Sequence, residues 1–370
     1  MLAVTALANG TVLPSMATIR PLERDDLNAV AELMQAHLLT RPLPGSDSVA
    51  FLAATLLDDP WTDPELPSLV AEDEAGRIVG LIGSQPRPML LDRRPIRGVC
   101  CSHFVVAPDA RAQSIGPLLL RKLLGGPQTL TWSDSASDAV VRLWGVFGGH
   151  VDHTRACDWM LVLRPARWAR AVTGAAVRGR RLHRDLLPVG GFPLHAAGSR
   201  LVPRAFPPAM PSITGEPLPT AAAAGHAGAA TAGLRLRPDF DQAHLDALFD
   251  LIERAGISLV RRMVRRRGEV VGWYVYEPRP GRASRVYQLV ARHRESEAVL
   301  SALVEDARER GCAVLTGRLE PALEGPLARR LAILGFARRP IIHTPDADVR
   351  SALLAGSALI SQLDGEWWVT

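Results

Sequence analysis

The sequence is short of lysine, and arginine carries almost all of its positive charge. Lys122 is the one lysine among 43 lysine and arginine residues, and the formal net charge is +5. A net charge of this size, without a run of basic residues beside aromatic ones, does not predict a nucleic-acid-binding protein. We therefore expect no nucleic-acid partner, although arginine suits the recognition of phosphate and carboxylate groups.

The sequence also lacks zinc-type cysteine spacing and long apolar runs, and we expect no signal peptide. Its four cysteines are Cys100, Cys101, Cys157 and Cys312, and their spacing predicts reduced structural thiols and no metal site. No apolar run reaches the length of a membrane helix, and the first 15 residues have no basic n-region. We expect a cytoplasmic protein without a transmembrane segment.

What the sequence does contain is 47% hydrophobic and 22% charged residues over 370 positions, which predicts two globular domains. Three landmarks occur twice in the same order: a strand before an amphipathic helix, a hairpin turn with glycine, and a helix ended by glycine. They pair residues 19–21 with 236–238, 76–80 with 268–272, and 142–148 with 330–335. Three repeats in register predict a duplicated α/β unit, each with a mixed sheet.

The repeats define the expected domains. Residues 1–16 form an extension, 17–164 the first unit and 233–370 a degenerate second unit. Between them, residues 165–232 are first rich in arginine and then rich in proline and alanine, which predicts a flexible linker. The arginine-rich part is either a solvated helix over the domain seam or a contact for an acidic surface.

One stretch of the first unit, residues 104–120 (FVVAPDARAQSIGPLLL), passes from an apolar strand through a polar loop into a helix. The start of a helix presents unpaired N–H groups and the positive end of its dipole, so it favours anions. Gly116 allows close approach to the backbone, Pro117 suits the first helical turn, and Arg111 adds a positive charge. A plain strand-to-helix connection is the alternative.

In this context, residues 106–108 (Val-Ala-Pro) and 111–116 (Arg-Ala-Gln-Ser-Ile-Gly) resemble the signature of the GNAT acyltransferase superfamily. The resemblance covers residues 17–164 well and 233–345 faintly, and Ser114 stands where the family has its first loop glycine. It implies two tandem GNAT-like acyl-CoA N-acyltransferase domains of mixed α/β class. The second unit shows no such loop after residue 291, so we expect one cofactor site, in the first unit.

The resemblance further implies that acetyl-CoA or another acyl-CoA is the co-substrate. The backbone around Val105 and Val106 would pair with the pantetheine arm and polarise the thioester carbonyl. Trp144 would line the pantetheine channel, with simple core packing as the alternative. The residues that would hold the diphosphate are Arg111, Ala112, Gln113, Ser114, Ile115 and Gly116.

The resemblance leaves the acid–base chemistry open. Ser102 stands at the usual position of a glutamate base, and His103 beside it has a suitable pKa, although a strand histidine is often structural. Asp134 is a lesser candidate, with helix capping as its alternative role. Trp144 stands at the usual position of a tyrosine acid, so that another group or water protonates the thiolate, or the chain is inactive.

The expected reaction moves an acyl group to an amine or hydroxyl of a small metabolite or a glycan precursor. The alternative is a non-catalytic, degenerate pair that binds a ligand or partner. We predict that residues 85–97 form a long loop whose arginines either line a pocket for an anionic acceptor or are simply solvated. Residues 363–369 predict a closing edge strand, or an exposed aromatic pair for a glycan.

Overall fold

The computed structural model describes residues 17–38, 43, 45, 47–165, 168, 213–280, 282–336 and 338–368. The helices are α1 Leu27–His37, α2 Ser48–Leu56, α3 Ile115–Leu124, α4 Asp138–Val146, α5 Thr220–Ala230, α6 Gln242–Arg254, α7 Ser296–Glu309, α8 Glu324–Arg329 and α9 Ala347–Leu354. The strands are β1 Thr18–Pro21, β2 Leu69–Glu72, β3 Ile78–Leu91, β4 Arg94–Val106, β5 Leu130–Ser133, β6 His150–Val151, β7 Cys157–Val162, β8 Ile213–Pro217, β9 Leu236–Pro238, β10 Val260–Arg266, β11 Glu269–Glu277, β12 Ala283–Ala291, β13 Val314–Arg318, β14 Ile333–Phe336 and β15 Ile341–His343.

Two mixed sheets organise these elements. The first has the order β1-β2-β3-β4-β5-β15-β6, with β9 added beside β3, and the second has the order β8-β10-β11-β12-β13-β7-β14. In the described part of the chain, β4–β5 and β12–β13 are the parallel pairs of the two sheets. The two orders correspond position by position, so the predicted mixed α/β class with two sheets is confirmed.

Each sheet contains one strand from the other half of the chain. Strand β7 lies between β13 and β14 in the second sheet, where Val162 pairs with Val314. Strand β15 lies between β5 and β6 in the first sheet, where Ile341 pairs with Ser133. The predicted boundary at residue 164 therefore separates the sequence repeats but does not separate the sheets.

The second unit begins earlier than the repeats predict. Strand β8 pairs with β10 and occupies the place that β1 has in the first sheet, and the buried face of α5 carries Ala223, Ala227 and Ala230. A flexible linker up to residue 232 is therefore wrong over 213–230, because alanine-rich sequence also suits a buried helix. Strand β9 pairs instead with β3 of the first sheet, where Pro238 faces Met89. The extension 1–16 and the arginine-rich residues 169–184 lie outside the described residues.

Three further predictions are wrong. Residues 85–97 are not a loop, because β3 and β4 form a long hairpin whose turn has Asp92 and Arg93 at φ of 48° and 71°. Residues 330–335 are not a helix, because α8 ends at Arg329 and β14 follows on the edge of the second sheet. A short apolar run does not distinguish a helix from a strand. The closing segment is a turn at Gln362–Asp364 and is buried, not an edge strand.

The amphipathic helices and the glycine turns agree with the sequence patterns. Helix α1 buries Leu27, Val30, Leu33 and Met34 against the first sheet, as their spacing predicts. The Asp241 side chain caps α6 by accepting from the backbone N–H groups of residues 243 and 244. The hairpin glycines Gly76 and Gly268 have φ of 77° and 84°. The candidate site lies at strand β4 of the first sheet.

Candidate functional site

Strand β4 carries a β-bulge at the point where the predicted catalytic residues lie. In the β3–β4 register Leu81 faces Val105 and Gly83 faces Ser102, so that two residues of β4 oppose one of β3. His103 is in the bulge with a left-handed φ of 54°. A bulge re-aims the side chain that it carries, and left-handed backbone at a residue other than glycine is typical of functional positions.

Beyond the bulge, β4 separates from its parallel neighbour. Strand β5 pairs with β4 only over residues 98–100 and ends at Ser133, while β4 continues to Val106. On the β3 side, Val105 and Val106 stay paired with Leu81 and Gly80. Among the strand pairs of the described residues, nothing pairs with the other edge of β4 beyond Cys100. A backbone edge of this kind is able to bind an extended ligand through main-chain hydrogen bonds.

The free edge leads directly into the predicted turn. A 3-10 turn spans Pro108–Gln113, Ser114 has a left-handed φ of 59°, and α3 starts at Ile115. The Ser114 side chain makes no capping hydrogen bond, and Pro117 occupies the third helical position. The first N–H groups of α3 have no acceptor within the helix, and groups of this kind are able to bind an anion.

The side chains around this turn have different surroundings. Arg111 is exposed, and its Nε donates to the carbonyl of Val106 at 3.2 Å. Ile115 is fully buried in the core. A Cβ added at Gly116 would meet only Phe104 and Val106, both at 3.7 Å, so the fold itself does not require glycine there. Ala112 and Gln113 are described only as backbone within the 3-10 turn.

A chain of buried hydrogen bonds ends on the His103 ring. Arg87 Nη2 donates to Gln85 Oε1 at 3.1 Å, and Gln85 Nε2 donates to Ser102 Oγ at 3.1 Å. Arginine has donors only, so it fixes which end of the Gln85 amide faces Ser102. Ser102 Oγ lies 2.7 Å from His103 Nδ1 and has its own hydrogen left to donate to it. We assign the ring hydrogen of His103 to Nε2 on this basis.

The surroundings of His103 keep its ring neutral. The ring is buried and stacks on Trp368 with a centroid separation of 5.0 Å. Burial lowers the pKa of His103 to about 4, because the charged form loses its hydration. Its Nε2 has no hydrogen-bond partner among the described residues. The geometry is that of a neutral imidazole with a free N–H donor.

Asp134 forms an ion pair that joins the two units. Its carboxylate lies 2.8 Å from the Arg318 guanidinium of β13, and it accepts from the backbone N–H of Glu366 at 2.7 Å. The Asp134 N–H donates in turn to the Glu366 carboxyl at 3.2 Å. Helix α4 is capped instead by Ser137. The helix-cap role predicted as the alternative for Asp134 is therefore wrong, and its position is that of a buried ion-pair partner.

Comparison with known structures identifies this arrangement of strands and turn. A GCN5-related N-acetyltransferase from Anabaena variabilis matches 89% of this chain and 73% of its own with a TM-score of 0.58 and 10% identity. One from Kribbella flavida matches 90% and 71% with a TM-score of 0.54 and 14% identity. A probable N-acyltransferase from Enterococcus faecalis matches 89% and 72% with a TM-score of 0.56 and 8% identity.

The chain has the GNAT fold. At these identities the likeness shows the fold alone, and the resemblance seen in residues 106–116 is confirmed at that level. No protein-family model and no curated protein matches the sequence. No helix within the described ranges is long and apolar enough to cross a membrane.

Within this GNAT fold, Trp144 belongs to the hydrophobic core. Its side chain is fully buried, and its indole nitrogen has no hydrogen-bond partner in the described part of the chain. Packing is tight behind it, since a Cβ at Gly149 would come within 3.0 Å of the indole. This is the second of the two roles that the sequence leaves open, and a contact with a bound ligand would require the indole to be uncovered.

Several residues of this region were predicted in another role or not at all. Glu366 and Trp368 reach the site from the end of the chain, and Arg318 reaches it from the second sheet. Gln85 and Arg87 were expected in an acceptor loop but lie on β3, where they hold Ser102. Tertiary structure alone brings these residues together, so spacing in the sequence could not have identified them.

Proposed function

We propose that the protein is an acyl-CoA-dependent acyltransferase whose donor site lies in the first unit. The observation that carries the proposal is the continuity of three features. They are the free edge of β4 beyond Cys100, the left-handed turn at Ser114, and the first amides of α3, which have no acceptor within the helix. The pantetheine arm of coenzyme A is an extended chain with amide groups, which suits the free edge of β4. The diphosphate of coenzyme A is an anion, which suits the start of α3.

The proposed donor-binding groups are mainly backbone. Main-chain groups of Val105 and Val106 pair with the pantetheine amides, and the amides of Ile115 and Gly116 receive the diphosphate, since the Ser114 N–H already donates to the Arg111 carbonyl. Gly116 lets the diphosphate approach the backbone. The fold itself would accept a methyl group at this position, so packing does not explain the glycine. Arg111 supplies the side-chain charge, because it is exposed at the end of the same strand.

The role of His103 follows from its protonation state. A neutral ring with hydrogen on Nε2 donates a hydrogen bond, so His103 polarises a carbonyl better than it accepts a proton. Ser102 and Gln85 act as positioning residues for this ring. The acceptor is an amine or hydroxyl of a small metabolite or a glycan precursor, which enters the reaction in its neutral form.

The alternative is a degenerate pair that binds a ligand without turnover. Two features favour it: Trp368 stacks on His103, and the buried Trp144, which cannot ionise, stands where the GNAT resemblance implies a tyrosine acid. Binding and turnover must therefore be measured separately.

Calorimetry with acetyl-CoA and with desulfo-CoA tests the donor site. We expect both to bind, with Arg111→Ala weakening binding by about tenfold, the value of one hydrogen bond to a charged group. We expect Gly116→Glu to abolish binding, because it adds bulk and negative charge at the helix start. Arg121→Ala, on the exposed end of the same helix, and Gly145→Glu, where nothing lies within 4 Å, are the matched controls.

No heat with either ligand, or full binding by Gly116→Glu, would refute the donor site. Thiol release from acetyl-CoA over a panel of amines then separates the two alternatives. Turnover unchanged in His103→Ala excludes this residue from the reaction, while binding without any turnover favours the degenerate pair.

A further inference from the structure

The second unit contains a cavity of about 350 Å³ that the proposed donor site does not use. It opens where β12 and β13 separate, since their pairing covers only residues 283–286 of β12. Its wall includes residues 289–291 of β12, the start of α7 and residues 320–323 after β13. Most of the wall is apolar, with leucine, alanine, valine and proline side chains.

One buried carboxyl group faces this apolar cavity. Glu320 lines the cavity and is 8% exposed, and neither of its carboxyl oxygens has a hydrogen-bond partner among the described residues. It precedes the 3-10 turn Pro321–Leu323, and its side chain makes no capping hydrogen bond there. A buried carboxyl without a partner is costly, so its retention indicates a ligand.

The arginines near Glu320 are paired with other carboxylates. Its nearest cation is Arg155, at 3.8 Å, and that guanidinium already pairs with Asp152 at 2.6 Å. Arg318 pairs with Asp134 at 2.8 Å. Arg155 and Arg318 each lie closer to another carboxylate, so Glu320 has only the more distant share of one countercharge. A cationic group entering the cavity would complete the balance.

The other charged groups of the wall are of both signs: Glu297 pairs with Arg329 at 2.7 Å, and Arg294 supplies an exposed positive charge. Arg294 lines the cavity with a left-handed φ of 68°. No ion pair or side-chain hydrogen bond of Arg294 is present among the described residues, whereas the neighbouring Arg292 pairs with Glu269 at 3.0 Å. A molecule that reaches from Glu320 to the mouth would thus meet a carboxyl group inside and a guanidinium outside.

We propose that this cavity binds a small aliphatic amine, with its ammonium group on Glu320 and an acidic group at its other end on Arg294. The proposal concerns binding in the second unit and does not depend on acyl transfer. It also explains why a glutamate stands at a buried position that neither packing nor capping uses.

The protonation of Glu320 gives the binding a pH dependence. Burial raises the pKa of Glu320 to about 7, with Asp364 and Asp152 adding to the effect and Arg155 and Arg318 opposing it. An ammonium ligand requires the carboxylate, so its affinity should rise as the pH increases from about 6 to about 8.

Calorimetry on the full chain with four probes tests the site. They are 5-aminopentanoate, 5-hydroxypentanoate, pentanoate and pentylamine. We expect 5-aminopentanoate to bind at least about tenfold more tightly than its hydroxyl analogue, the value of a hydrogen bond between charged groups. Glu320→Gln should remove this difference, while Glu324→Gln, an exposed neighbour outside the cavity, should keep it. Arg294→Ala should weaken 5-aminopentanoate and leave pentylamine unchanged.

Equal affinity of the amine and hydroxyl probes, or no binding of any probe, overturns the proposal. Retention of the preference by Glu320→Gln does so as well. Should Glu320→Gln not fold, the probe comparison on the natural chain decides alone. Failure of acetyl-CoA to bind would count against the donor site and not against this one, because no probe contains coenzyme A.

Discussion

Replacing Glu366 by glutamine should change how the stability of the protein depends on pH. Burial, together with the neighbouring Asp134, raises the pKa of Glu366 to about 8, well above the usual value of a glutamate. Asp134 has Arg318 as its ion-pair partner, so Glu366 is the member of the carboxyl pair that stays protonated. The folded chain therefore holds a proton that the unfolded chain releases, and the stabilisation is complete below the unfolded pKa and lost as the pH rises towards the folded pKa.

The magnitude follows from the linkage relation. One extra proton in the folded state lowers the free energy of unfolding by about 1.4 kcal/mol per pH unit, or roughly 3 kcal/mol between about pH 5.5 and 7.5. Glutamine keeps an oxygen for the Asp134 N–H and cannot ionise. We expect the stability of Glu366→Gln relative to the natural chain to increase by roughly 3 kcal/mol between about pH 5.5 and 7.5.

Urea denaturation of both proteins over this pH range measures the difference. Glu324→Gln removes an exposed carboxyl and serves as the control, with a pH-independent effect expected. A constant offset between Glu366→Gln and the natural chain would show that Glu366 is ionised in the folded state. The argument for a neutral carboxyl beside Asp134 would then be refuted.

Three other predictions follow from the buried groups and the glycines. Arg318→Met should lose about 3–5 kcal/mol in urea denaturation, because it leaves Asp134 buried without its partner, and Asp134→Asn with Arg318→Met should recover part of this loss. A larger loss in the double variant would contradict this. Gly272→Ala should lower the melting temperature, since its Cβ would lie 2.2 Å from the Val290 carbonyl, whereas Gly225→Ala, in the open middle of α5, should add about 0.5–1 kcal/mol. A thiol reagent should label none of the cysteines rapidly in the native chain and all of them in urea, because they are free and buried; rapid native labelling would disprove their burial. These are Cys100, Cys101, Cys157 and Cys312.

Local features of the fold were predictable because their causes lie within a few residues. The glycine at position 76 fixes a hairpin turn, and the apolar spacing of α1 fixes its buried face. The turn before α3 was predictable for the same reason, since Pro117 and the polar run from residue 109 to 114 both mark a helix start. A loop was wrongly predicted at 85–97 because Asp92 and Arg93 form a tight turn without the glycine that usually signals one.

The site depends on contacts that only the folded chain creates. The bulge at His103 is set by the register between β3 and β4, and no residue type in β4 predicts it. The tautomer of His103 depends on Gln85 and Arg87, which the sequence assigned to a different role. Glu320 becomes notable only because its neighbours in space already have partners. Distances between sheets, rather than patterns along the chain, decide these points.

The exchange of β7 and β15 has a consequence for how the chain can assemble. The first sheet is incomplete beside β5 until β15, which ends at residue 343, has been synthesised. The second sheet needs β7, which is synthesised well before the other strands of that sheet. Contacts of such large sequence separation slow folding, since a long loop must close before they form. Neither sheet is complete without a strand from the other unit. Ribosome-bound fragments ending near residue 164 should therefore stay sensitive to protease.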